Sequence, residues 1–247
     1  MENNIYKELL NYIDEIIILK DKNNKLIFTN FEEYKAIDNL KITNNEIKFK
    51  DNYYEVIIER IIINKEKYLL KVYKNVTNEK KIIKHMMFDK LTNLYNYGKI
   101  QEELSNCVKE YEINKKKFVV AMADIDDFKL VNDTIGHVNG NHILQSISEI
   151  LRKNIGKYDK VGRFGGEEFL LIFKNSTIKE AVKKVNIIRS ETMNLNLYDI
   201  TVTISFGLDE FNGTKNVKDV LNDADKALYY AKKHGKNNCR VFKNSTE

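Results

Sequence analysis

Seven residues, Arg163-Phe164-Gly165-Gly166-Glu167-Glu168-Phe169, constrain the fold of this 247-residue chain most strongly. A Gly-Gly pair supports a two-residue turn with positive φ. The apolar run Leu170-Leu171-Ile172-Phe173 that follows has the pattern of a strand needing cover on both faces. The turn therefore sits at the end of a buried sheet, with Glu167 and Glu168 at the tight end of a rigid strand. Two interpretations are open at this point: a surface hairpin with incidental acids, or a hairpin that holds a metal ion.

A second apolar run, Phe118-Val119-Val120-Ala121-Met122-Ala123, stops abruptly at Asp124-Ile125-Asp126-Asp127. Carboxylates at the end of a buried strand are unfavourable unless hydrogen-bonded or metal-bound. Asp126 or Asp127 could cap a helix over Phe128–Thr134, but Asp124 lies too early to serve it. Around these runs the spacing predicts a helix from about Tyr97 to Tyr111, capped by Thr92 or Asn96, and an amphipathic helix from about Gly140 to Asn154. His137, in the turn after Gly136, is read as structural. Beyond Lys160–Phe164 and the hairpin come helix Ile178–Met193, strand Ile200–Phe206, helix Val217–His234 and strand Cys239–Phe242. The order β-α-α-β-β-α-β is that of a ferredoxin-like sheet with additions.

The N-terminal third has a different rhythm. A helical spacing over Ile5–Ile13 gives way to strand Glu15–Leu19, a polar turn at Asp21-Lys22-Asn23-Asn24, and strand Lys25–Thr29. A short helix over Phe31–Ile37 and strands Glu46–Lys50, Tyr53–Ile63 and Lys67–Tyr73 complete a small α+β module. Asn78–Lys90 lacks glycine and places Ile82, Ile83, Met86 and Met87 among lysines, the pattern of a charged helix with one apolar seam. It could pair with its copy and transmit a rotation, or be a solvated link.

Composition sets the outer limits. Hydrophobic residues make up 43% and charged residues 31%, enough for a sizeable core. The net charge of +5 comes from scattered lysines, without the aromatic platforms on a basic stretch that single-stranded nucleic acid requires. Cys107 and Cys239 have no disulfide or zinc spacing. The N-terminus shows no basic leader and no run long enough to span a bilayer, so a cytoplasmic protein with neither nucleic-acid nor membrane partner is expected.

Residues 5 to 80 resemble a PAS sensor domain in layout: the hairpin turn, Asn30 after the second strand, three long strands, and an exit at Val76-Thr77. The segment holds no histidine or cysteine to ligate haem. A dimerisation module with a filled core and a sensor of an unknown small molecule or protein signal both fit. The expected division is a PAS-like domain at 1–77, a helical linker at 78–90 and a second domain at 91–247.

Residues 88 to 243 resemble the GGDEF domain, the catalytic module of diguanylate cyclases. Four motifs carry the resemblance: Asp89-x-Leu91-Thr92-x-Leu94-x-Asn96; Asp124-Ile125-Asp126-Asp127-Phe128-Lys129 with Asn132-Asp133 and Gly136-His137; Arg163-Phe164-Gly165-Gly166-Glu167-Glu168-Phe169; and Ala224-Asp225-x-Ala227-Leu228-Tyr229-x-Ala231-Lys232. The resemblance implies a palm-like fold and a homodimer holding one GTP per subunit. Each 3′-hydroxyl attacks the other α-phosphate, giving cyclic di-GMP and two pyrophosphates. Asp124, Glu167 and the Ile125 carbonyl are the implied ligands of two Mg²⁺ per site, with Mn²⁺ as the alternative. Glu168 either joins the second metal or helps deprotonate the hydroxyl. Gly165 and Gly166 let the backbone approach the nucleotide. Amides at Asp127, Phe128 and Lys129 face the phosphates, and Lys129, Lys232 and Lys236 add charge, with Lys236 replacing an arginine common in the family.

Three positions depart from the pattern. An aspartate usually lies nine residues beyond the asparagine matching Asn132, and together they read guanine; here Asn141 stands in its place. An amide offers one acceptor and one donor where a carboxylate offers only acceptors, so guanine is read less well and ATP, with an adenine-containing product, becomes an alternative. The feedback arginine is missing from Gly156-Lys157-Tyr158-Asp159, so no strong product inhibition is expected there. Tyr97 replaces an arginine. A degenerate domain that binds nucleotide without turnover is the competing class, against which the intact Gly165-Gly166-Glu167-Glu168 and Lys232 weigh.

Overall fold

A computed structural model describes residues 13–242. The chain forms two compact units, Met1–Lys84 and His85–Glu247. All but the last residue of the helix expected over Ile5–Ile13 lies outside the described residues.

In the first unit, strands β1 (Ile16–Asp21), β2 (Leu26–Thr29), β3 (Glu46–Phe49), β4 (Asn52–Ile63) and β5 (Glu66–Asn75) form one sheet in the order β2-β1-β5-β4-β3, and every neighbouring pair is antiparallel. The five strands expected for this module therefore form one antiparallel sheet. Ile16, Ile18, Tyr54, Val56 and Tyr73 project from one face and pack with Ile37 of the short helix α1 (Tyr34–Asp38) and Ile47. Asn30 accepts from the Ile17 amide at 2.7 Å and donates to the Glu15 carbonyl at 2.8 Å, fastening the chain after β2 to the start of β1. Helix α2 (Thr77–Met87) follows, and Ile82, Ile83 and Met86 on it are exposed.

The second unit is built on β6 (Phe118–Ile125), every residue of which is buried. The sheet order is β10-β9-β6-β8-β7, with β7 (Lys160–Arg163), β8 (Glu168–Lys174), β9 (Ile204–Phe211) and β10 (Cys239–Val241). Successive β6 side chains point to opposite faces. Val119, Ala121, Ala123 and Ile125 pack with α4 (Phe128–Asn154) and α5 (Ile178–Met193). Phe118, Val120 and Met122 pack with α3 (Tyr97–Asn114) and α6 (Val217–Lys233). Both faces are covered, as the unbroken apolar run requires, and the ferredoxin-like, palm-like α+β expectation holds. Gly207 lets α6 lie against β9: a Cβ there would meet the Ala224 carbonyl oxygen and the Leu228 nitrogen at 2.1 Å.

Two local expectations need correction. The strand expected over Ile200–Phe206 runs from Ile204 to Phe211, because its partner β6 ends at Ile125, whose register neighbour is Ile204. The hairpin is a four-residue connection from Phe164 to Glu167, and neither Gly165 nor Gly166 has a positive φ. Side-chain hydrogen bonds, described below, shape it instead.

Candidate active site

Asp124 occupies an even-numbered position of β6, on the face that packs against α6. From α6, Lys232 reaches it with its ammonium 2.6 Å from Oδ1. Asp124 is only 7% exposed, and the buried Oδ1 receives no directed hydrogen bond. Burial pushes its carboxyl up to about 6; Lys232 opposes the rise, while the charges of Glu167 and Glu168 add to it. A buried carboxylate flanked by two more acids, with one lysine as its counter-charge, is a donor set that suits a hard divalent cation.

The register across β6 and β8 sets Asp124 opposite Glu168, while Glu167 is the last residue of the connection and its carbonyl accepts the Ile125 amide at 3.3 Å. Glu168 rather than Glu167 is thus the residue on the neighbouring strand; Glu167 approaches from the turn. Among the described residues, no three His, Cys, Asp or Glu side chains converge into a ready-made metal cage. Magnesium characteristically uses one or two carboxylates and completes its shell with substrate phosphates and water, so such a cage is not required.

Arg163 shapes the connection. Its guanidinium donates to the Gly165 carbonyl at 3.2 Å and to the Gly166 carbonyl at 3.0 and 2.7 Å, and pairs with Asp89 at 3.2 Å. Asp89 in turn accepts from the Thr92 amide and hydroxyl. A Cβ at 165 would stand 2.3 Å from Glu168 Oε2, whereas one at 166 would meet nothing within 4 Å. Gly165 therefore makes room for a carboxylate, and Gly166 leaves its surroundings open.

Helix α4 starts at Phe128 with Asp127 as its N-cap in a left-handed conformation (φ 53°). Asp127 makes no capping hydrogen bond; both of its oxygens are held by Lys236 at 2.6 Å. Asp126 does not cap the helix either. It is buried, accepts from the hydroxyls of Thr203 and Ser205 at 2.7 Å, and accepts from the Asn237 amide at 2.9 Å. That knot fixes the turn after α6 and so positions Lys236 beside Asp127. Lys129, the second residue of the helix, is exposed.

Gly136 (φ 81°, ψ 154°) interrupts α4 and turns its second half back on the first. A Cβ on Gly140 would lie 1.9 Å from Asn132 Oδ1. The Asn132 amide thus rests on the Gly140 backbone, and the exposed Asn141 is the next residue in the chain. His137 is exposed in the turn. Asp159 is occupied elsewhere: it is buried and accepts the Gly156 and Lys174 amides and the Lys184 ammonium. Tyr97 packs on Phe164, ring centroids 5.0 Å apart. The contributions of Arg163, Asp89, Asp126 and Gly140 were not evident from spacing; only membership of the motifs pointed to the first three.

Residues 86–238 match the model of the diguanylate cyclase GGDEF domain. The chain is 35% identical over 136 residues to diguanylate cyclase A of Treponema denticola, covering 53% of this chain and 37% of that protein. With diguanylate cyclase DosC of Escherichia coli K12 it shares 34% over 131 residues, or 51% and 28% of the two chains. It therefore spans about a third of the length of these curated relatives. Among solved structures, the coiled coil and GGDEF domain of DgcB from Caulobacter crescentus, in complex with c-di-GMP, superposes with a TM-score of 0.64 at 26% identity, covering 66% of this chain and 90% of that one. The active GGEEF domain of a Vibrio cholerae diguanylate cyclase gives 0.59 at 26%, covering 62% and 99%. The four motifs, the sheet and these matches together make the chain a member of the GGDEF-domain diguanylate cyclase family.

Proposed function

We propose that the second unit condenses two GTP molecules into cyclic di-GMP and two pyrophosphates, one GTP being held by each subunit of a homodimer. The observation that carries this reading is Asp124: a buried carboxylate at a strand end, beside Glu167 and Glu168, with Lys232 as its counter-charge. Asp124, the Ile125 carbonyl and Glu167 would hold the divalent cations, two Mg²⁺ per site or Mn²⁺ in their place, with Glu168 either joining them or taking the hydroxyl proton. Bound there, the cations would neutralise the triphosphate and acidify the attacking hydroxyl. The amides of Asp127, Phe128 and Lys129 at the start of α4 receive the terminal phosphates, and Lys129, Lys232 and Lys236 add positive charge. Gly165 and Gly166 keep side chains out of the nucleotide's way, and Asn132 and Asn141 meet the base. In each half-reaction a 3′-oxygen bonds to the facing α-phosphorus as the bond to pyrophosphate breaks.

The first unit, with its antiparallel sheet and short helix, is read as a PAS-like module that senses a signal or dimerises, joined through the linker at 78–90. Incubating the full chain with GTP and Mg²⁺ and identifying products by mass should yield cyclic di-GMP. Asp124→Asn should yield none while keeping its circular dichroism spectrum. A wild-type chain that forms no cyclic dinucleotide would refute the proposal.

A second reading concerns the base. Asn141 is exposed and follows Gly140, on whose backbone the Asn132 amide rests, and an amide pair suits the adjacent donor and acceptor of adenine better than it suits guanine. With equal GTP and ATP, an adenine-containing cyclic dinucleotide is expected, and Asn141→Asp should shift the product toward cyclic di-GMP. Exclusive cyclic di-GMP from both proteins would sink this idea.

A further inference from the structure

We propose that Arg189, on α5, is a positioning residue for nucleotide binding: it clamps the left-handed turn Gly235-Lys236-Asn237 and thereby holds Lys236 at the start of α4. The proposal rests on the phosphate-binding role given above to Lys236, and it adds a side chain that lies in none of the four motifs. The turn follows α6 and has positive φ at three successive residues, 103° at Gly235, 54° at Lys236 and 43° at Asn237. Glycine enters that region freely and asparagine tolerates it, but a lysine there is strained. Backbone of this kind persists only where its surroundings over-determine it, and it collects at ligand clamps.

The surroundings hold this turn from three sides. The Arg189 guanidinium donates to the Asn237 carbonyl at 2.9 Å and to the Asn237 Oδ1 at 3.0 Å. Its Nε donates to Asn186 Oδ1 at 3.2 Å, one turn earlier on α5, which fixes the plane of the fork. Asp126 accepts the Asn237 amide at 2.9 Å. The Asn238 side-chain amide donates to the carbonyls of Lys236 at 2.8 Å and of Ala231 at 3.0 Å. Asn237 is thus gripped at its amide, its carbonyl and its side chain, and Arg189 supplies two of those three grips. Hydrogen bonds from a charged donor are the stronger kind, and a planar fork adds direction to strength. Asp126 stands beside the site itself, between Ile125 and Asp127, whereas Arg189 reaches the turn from a separate helix and acts only through Asn237.

What the clamp delivers is Lys236. Its ammonium lies 2.6 Å from both oxygens of Asp127, the N-cap of α4, and so stands at the helix end where the terminal phosphates are placed. A lysine is a point charge on a flexible four-carbon stem, and this one is exposed over 41% of its side chain, so packing does not fix the ammonium. Its position follows from where the turn sets the Lys236 backbone. Releasing Asn237 lets the strained residues relax out of the left-handed region and carries the Lys236 stem away from α4, with the rest of the nucleotide site left in place.

The test is a double-mutant cycle on the full chain with Arg189→Met, Lys236→Met and both together, reading dissociation constants by calorimetry in Mg²⁺. The ligands are 3′-deoxy-GTP, which lacks the attacking hydroxyl and so does not turn over, and 3′-deoxy-GMP, which lacks the terminal phosphates. Each single variant should bind the triphosphate about tenfold more weakly, the scale of one lost hydrogen bond to a charged group, and the monophosphate within about twofold of wild type. In the Lys236→Met background, Arg189→Met should add nothing. Arg189→Lys keeps the charge without the fork; it should show the same pattern in smaller measure, and it keeps the test open where the methionine variant does not fold. Losses that multiply in the double variant, or equal losses for the two ligands, would mean that Arg189 serves the fold at large and would overturn the proposal. Triphosphate binding unchanged in Arg189→Met overturns this proposal alone, whereas a wild-type chain that binds no 3′-deoxy-GTP overturns the nucleotide-site reading beneath it as well.

Discussion

Gly140→Ala separates nucleotide recognition from folding in a way few substitutions here can. Gly140 is buried in the second half of α4 without a positive φ, so alanine meets no backbone strain and should favour the helix by about 0.8–1 kcal/mol. The new Cβ would stand 1.9 Å from Asn132 Oδ1 and 3.0 Å from its Cγ. Only the Asn132 amide can yield, because it is the free end of a side chain, and it must rotate out of its present position. If that amide reads the base with one or two neutral hydrogen bonds, each contributing about 0.5–1.5 kcal/mol, the loss is about 1–3 kcal/mol. This corresponds to roughly 5- to 150-fold in kcat/KM, borne mainly by KM because the base is held alike in ground and transition states. Pyrophosphate release from GTP, measured beside thermal melting by circular dichroism, reads both quantities. A kcat/KM within about twofold of wild type would refute the role given to Asn132. A variant that melts far below wild type would show instead that Gly140 serves packing.

Other outcomes follow from neighbouring features. Arg163→Met removes the donors that hold the Gly165 and Gly166 carbonyls and the pair with Asp89; a loss of about 1.5–3 kcal/mol in transition-state stabilisation, roughly 10- to 150-fold in kcat/KM, is expected, and unchanged kinetics would contradict it. Gly207→Ala drives a methyl into the backbone of Ala224 and Leu228, atoms that no rotamer can move, so urea denaturation should show a loss near or above the ~3 kcal/mol end of overpacking effects; a neutral variant would mean that α6 does not lie this close. In the first unit, burial raises the Asp38 carboxyl, but hydrogen bonds and charge from Lys20 and Lys71 outweigh it and leave the group lowered from 3.8. The stabilisation is therefore present above 3.8 and lost as pH falls below it through the folded value, and Asp38→Asn should abolish that acid-dependent part of the unfolding profile; identical profiles for the two proteins would count against the cluster.

What could be read in the chain and what could not divides along sequence distance. The apolar run Phe118–Ala123 announces a strand covered on both faces because each of its residues carries the information locally, and the structure buries all of them. The Gly-Gly pair announces a turn for the same reason. Its shape is not local information, because dipeptide preference says nothing of Arg163, whose guanidinium holds both glycine carbonyls and is tied to Asp89, 74 residues away. The start of β9 is not local information either, because a strand exists only where a neighbour pairs with it, and that neighbour ends at Ile125.

The same principle explains the three acids at the end of β6 and just beyond it, which look equivalent in sequence. Asp126 meets Thr203, Ser205 and Asn237, partners 77 to 111 residues distant, and becomes part of the frame. Asp127 meets Lys236 at the surface. Asp124 alone is left buried among acids with a lysine on one oxygen. A buried carboxylate fully hydrogen-bonded by hydroxyls and an amide has no remaining demand for a cation, whereas one balanced only by a single lysine amid further acids does. Because β6 alternates, only its even positions face α6 and Lys232. Parity sets Asp124 on the face of Lys232, and it is the partners supplied from distant segments, not parity, that separate it from Asp126 just beyond the strand.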